Sequence, residues 1–324
     1  MSKLDTIKEP VAQELKEFEP FFQSAMKSKV PLLSIIANYI LRTKGKQLRP
    51  LLVYLSAGLN GTIGSSTKIA AAMIELLHTA TLVHDDVVDE AYERRGFLSI
   101  NALWRSKAAV LVGDFLLSKG LLLAIESNEF ELLRNMSNAV KKMSEGELLQ
   151  IERSRKMDID EEVYYQIIGM KTAVLLSSCT VNGACSVGAS PEAIEHMREF
   201  GYNLGMAFQI RDDLFDYTSK GILGKPTGND IKEKKLTLPI IYALSKVEKS
   251  KQREIRSLIR ESKKNPKAVE MVIDFADKNG GIEYTQQRMN FYHEQALSSL
   301  FIFPKSAYRD SLESLAEFIV ERKS

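Results

Sequence analysis

Apolar residues recur every three to four positions through most of this chain, and glycine and proline fall mainly between the periodic runs. That period marks amphipathic helices packed on a shared core, whereas the alternating pattern of a half-buried strand is scarce. The spacing predicts helices near residues 11–25, 31–42, 48–58, 65–91, 99–126, 129–154, 160–187, 191–217, 235–247, 251–262, 267–277, 280–297 and 306–322. Pro31 and Pro191 stand where first-turn prolines belong, with φ already set and no N–H to lose. Such a chain folds as an all-α bundle.

Two segments, Ile69–Val88 and Leu204–Phe215, are apolar on nearly every face and are expected to be central and buried. Each runs into an aspartate-rich pentapeptide, Asp85-Asp86-Val87-Val88-Asp89 and Asp212-Asp213-Leu214-Phe215-Asp216. Three carboxylates on a buried stretch repel one another and resist desolvation unless something cationic neutralises them. A helical residue advances about 100°, so Asp85 and Asp89 lie about 40° apart on one face, and Asp212 and Asp216 repeat that geometry. Asp86 turns further away, toward bracing the helix or a neighbouring base. Two such clusters suggest opposing walls of a cavity built around hard divalent cations. Magnesium held by one or two carboxylates completes its shell with water and phosphate oxygens, so the expected substrates are diphosphates.

Cations stand where such anions would need them. Gly45-Lys46-Gln47-Leu48-Arg49-Pro50 puts two around a loop that opens a helix, Arg94 and Arg95 follow the first motif, and Lys171 (beside the hydroxyl of Thr172), Lys225 and Lys235 add more. His78 precedes Asp85 by seven residues, about 20° off its face, and is a candidate diphosphate contact, as is Gln209 near the second motif. His84 reads as a hydrogen-bonded helix residue, because hard magnesium sites prefer oxygen ligands.

Composition narrows the alternatives. With 44% hydrophobic and 27% charged residues among 324, there is material for a large core. Lys+Arg 44 against Asp+Glu 42 leaves a net charge of +2, which argues against a nucleic-acid partner. The two cysteines, Cys179 and Cys185, lack the paired spacing of a zinc site and read as free thiols. Residues 1–10 lack the apolar stretch of a signal peptide, and apolar runs such as Ala108–Val112 and Gly120–Ile125 are short, so a cytoplasmic protein is expected. No Ser/Pro-rich linker divides the chain, and residues 1–324 read as a single domain. Its most loop-like stretch, Ser219–Asp230, holds three glycines and Pro226 and reads as a mobile lid.

The stretches GKQLRP (45–50), LLHTATLVHDDVVDEAYERRG (76–96), VGDFLLSKG (112–120), KTA (171–173), GMAFQIRDDLFDYTSKGILGKPTGNDI (205–231) and KKLTLP (234–239) resemble, in order and spacing, the trans-isoprenyl diphosphate synthases, in particular their longer-chain, octaprenyl- and heptaprenyl-type branch. The similarity runs from about residue 30 to the C-terminus. It implies an all-α isoprenoid-synthase bundle around a deep central cavity, a homodimer, and two or three Mg²⁺ ions. By that resemblance Asp85, Asp89 and Asp212 bind metal, and Asp86, Asp213 and Asp216 support them. Lys171, Thr172, Gln209, Lys225 and Lys235 grip an allylic diphosphate such as farnesyl or geranyl diphosphate, with Arg94 beside it. Lys46, Arg49, His78 and Arg95 hold isopentenyl diphosphate. Gln47 departs from the family, which often has a basic residue there.

The implied reaction is electrostatic ionisation of the allylic C–O bond, with Asp85, Asp89, Asp212, Lys171 and Lys225 at its centre, followed by attack of the isopentenyl double bond. Product length is expected to depend on the wall before the first motif. Ala80 and Thr81 are small, Leu77 and Ile74 lie further along, and ~11 residues of helix give a channel about 16 Å deep. That predicts a hexa- to octaprenyl product suited to a quinone side chain, with at most peripheral membrane contact through the product. Class I terpene cyclases share one DDxxD but carry a different second metal motif, and non-catalytic synthase subunits commonly lose the aspartates, all six of which are present here.

Overall fold

Pro31, Pro191 and Pro266 each open a helix in the structure, a computed structural model that describes residues 3–43, 45, 47–94, 96–218 and 228–321. The helices are α1 Lys3–Lys8, α2 Ala12–Ala25 after a 3₁₀ turn, α3 Pro31–Arg42, α4 Leu48–Asn60 and α5 Ser65–Val88. They continue as α6 Ile100–Glu126, α7 Phe130–Lys156, α8 Glu161–Ile168, α9 Val174–Cys185 and α10 Pro191–Thr218. The remainder are α11 Asn229–Lys232, α12 Leu238–Ser245, α13 Lys249–Glu261, α14 Pro266–Lys278, α15 Gly281–Phe301 and α16 Ala307–Glu321. The expected all-α architecture is the one found.

Three local features depart from the sequence reading. The helix expected over 160–187 is interrupted by a π turn, Gly169–Ala173, between α8 and α9. A two-residue antiparallel pair, β1 Glu93–Arg94 and β2 Phe97–Leu98, follows α5, its turn made possible by Gly96 at φ +78°. Within α6, Arg105 adopts φ 69°, ψ 161° and kinks the helix.

The described residues group into two compact units, Met1–Val140 with Ser178–Arg198 and Phe303–Leu312, and Lys141–Ser177 with Glu199–Ile302 and Glu313–Ser324. In the first, α4 is the buried axis: Leu51 to Leu55 are all at most 1% exposed. Small residues let helices approach there. A Cβ at Gly113 of α6 would collide with the His84 ring, and one at Gly183 of α9 with the Val53 carbonyl. In the second, Leu238, Ile240 and Leu244 of α12 pack among Ile167 and Ile168 of α8, Ile210 of α10, Ile259 of α13 and Val272 of α14. Burying these branched side chains supplies the drive that offsets the chain entropy lost on folding.

The short apolar runs of the sequence merge into longer helices. By length and composition Ile100–Glu126 and Glu161–Cys185 would each pass as membrane-crossing, although 78% of the second window is buried, as in a core helix. Only 33% of the α6 window is buried. Val110, Leu111, Leu122 and Ile125 form an exposed apolar stripe along it, within about 120° of arc.

Candidate active site

In the first unit, α5 is deeply buried up to Ala80 and then emerges. Asp86 is 3% exposed, Asp85 is half-buried and Asp89, which caps the helix, is exposed. The sequence reading of a wholly buried acid row is thereby corrected: the helix ends at the motif, and its flanking carboxylates reach solvent. The buried one is neutralised by protein. Arg94 Nε donates to Asp86 Oδ1 at 2.6 Å, placed there by the hairpin that returns the chain toward α5. Burial pushes the Asp86 carboxyl above its ordinary range, and the Arg94 guanidinium opposes that shift. Asn101 Nδ2 donates to the Asp86 carbonyl at 3.3 Å, and the Tyr39 hydroxyl to the Leu98 carbonyl at 2.6 Å, fixing the hairpin.

A cavity of about 80 Å³ in this unit is lined by His78, Asp86 and Arg94 together with Tyr39, Gln47 and Glu75. Gln47 lies at φ 54°, in the left-handed region, immediately before α4. Arg49 is half-buried in the first turn of α4, near enough to act on the Cys179 thiol, and is not among the residues lining that cavity. His84 is tied to the Val110 carbonyl at 3.3 Å and to Asp114 at 3.4 Å, a structural role.

The second unit builds its acidic end differently. Asp212 is exposed, Asp213 is 5% exposed and Asp216 is half-buried. Both oxygens of Asp213 are held: the Tyr164 hydroxyl donates to Oδ2 at 2.7 Å and Gln209 Nε2 to Oδ1 at 2.9 Å. The Thr172 hydroxyl donates to Gln209 Oε1 at 2.8 Å. Asp216 accepts the backbone N–H groups of Asn229 at 2.9 Å and Asp230 at 2.8 Å, which anchors α11 to the motif. Burial, then the Asp230 charge, pushes the Asp213 carboxyl upward, and the Tyr164 and Gln209 hydrogen bonds oppose that shift by favouring the carboxylate. Burial and the neighbouring Asp216 raise Asp230 to about 6.

Lys171 and Thr172 both sit in the π turn, a helical irregularity that recurs at functional sites. Lys171 pairs with Glu147 and donates to Gln150 Oε1 at 3.3 Å. Lys235, in the turn before α12 rather than within a helix, pairs with Glu233 at 2.7 Å. A cavity of about 120 Å³ brings together Tyr164, Lys171, Thr172, Gln209, Asp230 and Lys235. Tyr164, Glu147 and Asp230 were not singled out by sequence reading. Asp230 offered a signal, as the acid ending a glycine-rich loop, but Tyr164 offered none, since a tyrosine at helical spacing looks like core. Lys46, Arg95, Lys225 and most of the proposed lid lie outside the described residues.

The wall positions differ among themselves. Ile74, Leu77 and Ala80 are at most 1% exposed, while Thr81 is half-buried with its hydroxyl turned back to the His78 carbonyl at 2.8 Å.

Among the described residues, no three His, Cys, Asp or Glu side chains converge to cage a metal. Each motif instead offers partly or fully exposed carboxylates beside a locked one. That all-oxygen, incomplete donor set fits a hard cation that keeps water and takes phosphate oxygens.

An all-α fold with two DDxxD helix ends, each beside a cavity carrying cationic side chains, fits an enzyme that handles diphosphates with the help of a hard cation. The polyprenyl synthetase family model matches residues 30–276. Over 317 residues the chain is 38% identical to the all-trans-nonaprenyl-diphosphate synthase (geranyl-diphosphate specific) of Rhodobacter capsulatus, covering 97% of this chain and 96% of that one. It is 35% identical over 320 residues to the octaprenyl diphosphate synthase of Escherichia coli K12, covering 98% and 99%. The crystal structure of a Caulobacter crescentus CB15 polyprenyl synthase complexed with calcium and isoprenyl diphosphate superposes with a TM-score of 0.91 at 32% identity, covering 99% and 98%. This chain belongs to the polyprenyl synthetase family and is a prenyltransferase, a trans-prenyl diphosphate synthase.

Proposed function

We propose that this synthase adds isopentenyl diphosphate repeatedly, head to tail, to an allylic primer such as farnesyl or geranyl diphosphate, giving an all-trans product of about C30–C40. The observation that carries the reading is the construction of the two acidic ends: one buried aspartate in each is locked by side-chain donors, and the flanking aspartates reach solvent. The long-chain assignment is supported by the small residues Ala80 and Thr81, and by the nonaprenyl and octaprenyl synthases among the relatives. A role in supplying quinone side chains, a cytoplasmic location and a single synthase domain belong to the same proposal.

Asp85 and Asp89 would hold magnesium on the allylic side of the site, and Asp212 would hold a further ion. When bound, the magnesium supplies the Lewis acidity that neutralises the departing diphosphate. Asp86, Asp213 and Asp216 keep the motif ends in register. Lys171, Lys225 and Lys235 add positive charge toward the allylic diphosphate, with Thr172, Gln209 and Arg94 shaping that pocket. His78, Arg49, Lys46 and Arg95 orient isopentenyl diphosphate. Apolar walls exclude water from the allylic cation, and the proton lost on coupling goes to the released diphosphate. The apolar stripe on α6 fits a homodimer face, because an exposed apolar patch of this kind marks an association surface.

Incubating the purified protein with magnesium, farnesyl diphosphate and labelled isopentenyl diphosphate tests the reading. A ladder ending near C30–C40 supports it. Hydrocarbon products would indicate a cyclase, and inertness relieved only by another chain would indicate a subunit of a heteromeric enzyme.

A further inference from the structure

The π turn does more than present Lys171. Thr172 leaves it with its hydroxyl on Gln209 Oε1 at 2.8 Å, and Gln209 turns its Nε2 to Asp213 at 2.9 Å. An amide has one accepting and one donating end: the Asp213 carboxylate, which only accepts, takes Nε2, and the Thr172 hydroxyl donates to Oε1, so the amide is pinned at both ends. With the amide reversed, Gln209 Oε1 would point at Asp213 Oδ1, acceptor against acceptor. The Tyr164 hydroxyl closes the other oxygen at 2.7 Å, from a ring that is 3% exposed. Asp213 thus has both oxygens fixed by donors from α8 and α10, and the residue before it, Asp212, is exposed.

We propose that Thr172 and Tyr164 are positioning residues for the second metal motif: Thr172 holds the Gln209 amide against Asp213, and Gln209 and Tyr164 together lock Asp213 so that the last turns of α10 present Asp212 to the cation. This assigns Thr172 a task toward the metal side of the site as well as toward substrate, and it rests on the prenyl-transfer reading above. Outer partners of this kind fix the orientation of the groups that touch the ion. Asp213 is 5% exposed with a donor on each oxygen, whereas Asp212 is exposed, which divides the motif into a held residue and a ligating one.

The test uses the full chain and five variants: Thr172→Val, Thr172→Ser, Tyr164→Phe, Gln209→Ala and the Thr172→Val/Gln209→Ala double. Mn²⁺ binding in the presence of inorganic pyrophosphate is read by electron paramagnetic resonance, beside the Mg²⁺ concentration for half-maximal turnover and the KM of each diphosphate. Thr172→Val and Tyr164→Phe should each weaken Mn²⁺ binding and raise the Mg²⁺ requirement about tenfold. The KM for isopentenyl diphosphate should stay unchanged. Thr172→Ser, which keeps the hydroxyl, should restore wild-type values, and Thr172→Val should add nothing once Gln209 is alanine.

Equal Mn²⁺ binding by Thr172→Val and wild type, or additive effects in the double variant, would overturn the relay. A loss common to valine and serine variants, tracking melting temperature, would overturn it in favour of packing alone. Failure of the wild-type enzyme to elongate would instead remove the prenyl-transfer reading, so the two failures are distinct.

Discussion

Arg94 Nε stands 2.6 Å from Asp86 Oδ1, joining the hairpin after the first motif to its one buried carboxylate. Arg94→Met leaves that carboxylate unpaired. Because the guanidinium is 35% exposed, the loss should be about 1–2 kcal/mol rather than the larger figure for a fully buried pair. Chemical denaturation should show that loss in Arg94→Met and its recovery in Arg94→Met/Asp86→Asn. Turnover should stay low in both, since the cation itself faces the diphosphate in the proposed mechanism.

Asp85→Asn and Asp212→Asn should each lower kcat by about 10²–10³-fold, as expected when one preorganised electrostatic element is removed from a charge-separating step. Circular dichroism should stay near wild type, because neither side chain is buried as Asp86 and Asp213 are. Chelation with EDTA should abolish turnover, and excess Mg²⁺ should restore it. Turnover that survives chelation would refute the metal-assisted mechanism.

Thr81→Phe should shorten the product while the fold survives, since Thr81 retains exposed surface. Ala80→Phe enters a packed position, 1% exposed, and should cost about 1–3 kcal/mol by overpacking before any effect on length is read. Thin-layer analysis of dephosphorylated products distinguishes a shortened ladder from an unchanged one.

Leu111→Glu/Leu122→Glu places charges on the exposed stripe of α6 and should give a monomer by analytical ultracentrifugation if that stripe is the homodimer face. An unchanged sedimentation coefficient assigns the stripe another role.

His293 should give the fold an acid-side weakness. Its Nε2 is buried without a hydrogen-bond partner, and burial lowers its pKa below 6.5 against the opposing pull of Glu317, Glu294 and Glu321. Between its folded and unfolded values the unfolded chain binds the extra proton, so this contribution is complete above pH 6.5 and lost as pH falls below it. Melting curves from pH 7.5 to 5 should show that slope, flattened in His293→Gln.

Helix existence was legible from apolar periodicity alone: α3, Pro31–Arg42, matches its expected bounds, because a proline start and an uninterrupted amphipathic run leave one local solution. The π turn at Gly169–Ala173 was not legible, since one extra residue in a turn barely changes the apolar spacing. The hairpin that delivers Arg94 spans too few residues to show any alternation.

The sequence by itself determined the helical class, the two DDxxD ends and most of the cations around them, because side-chain type and a 3.6-residue period are local properties. Which aspartate in each motif is held and which reaches solvent was decided only by tertiary structure. Asp213 is fixed by Tyr164, 49 residues away in the chain, and by a glutamine whose amide is held at its other end by Thr172, 37 residues from it. Such pairings arise where packed helices bring distant donors within about 3 Å, a distance no local spacing encodes.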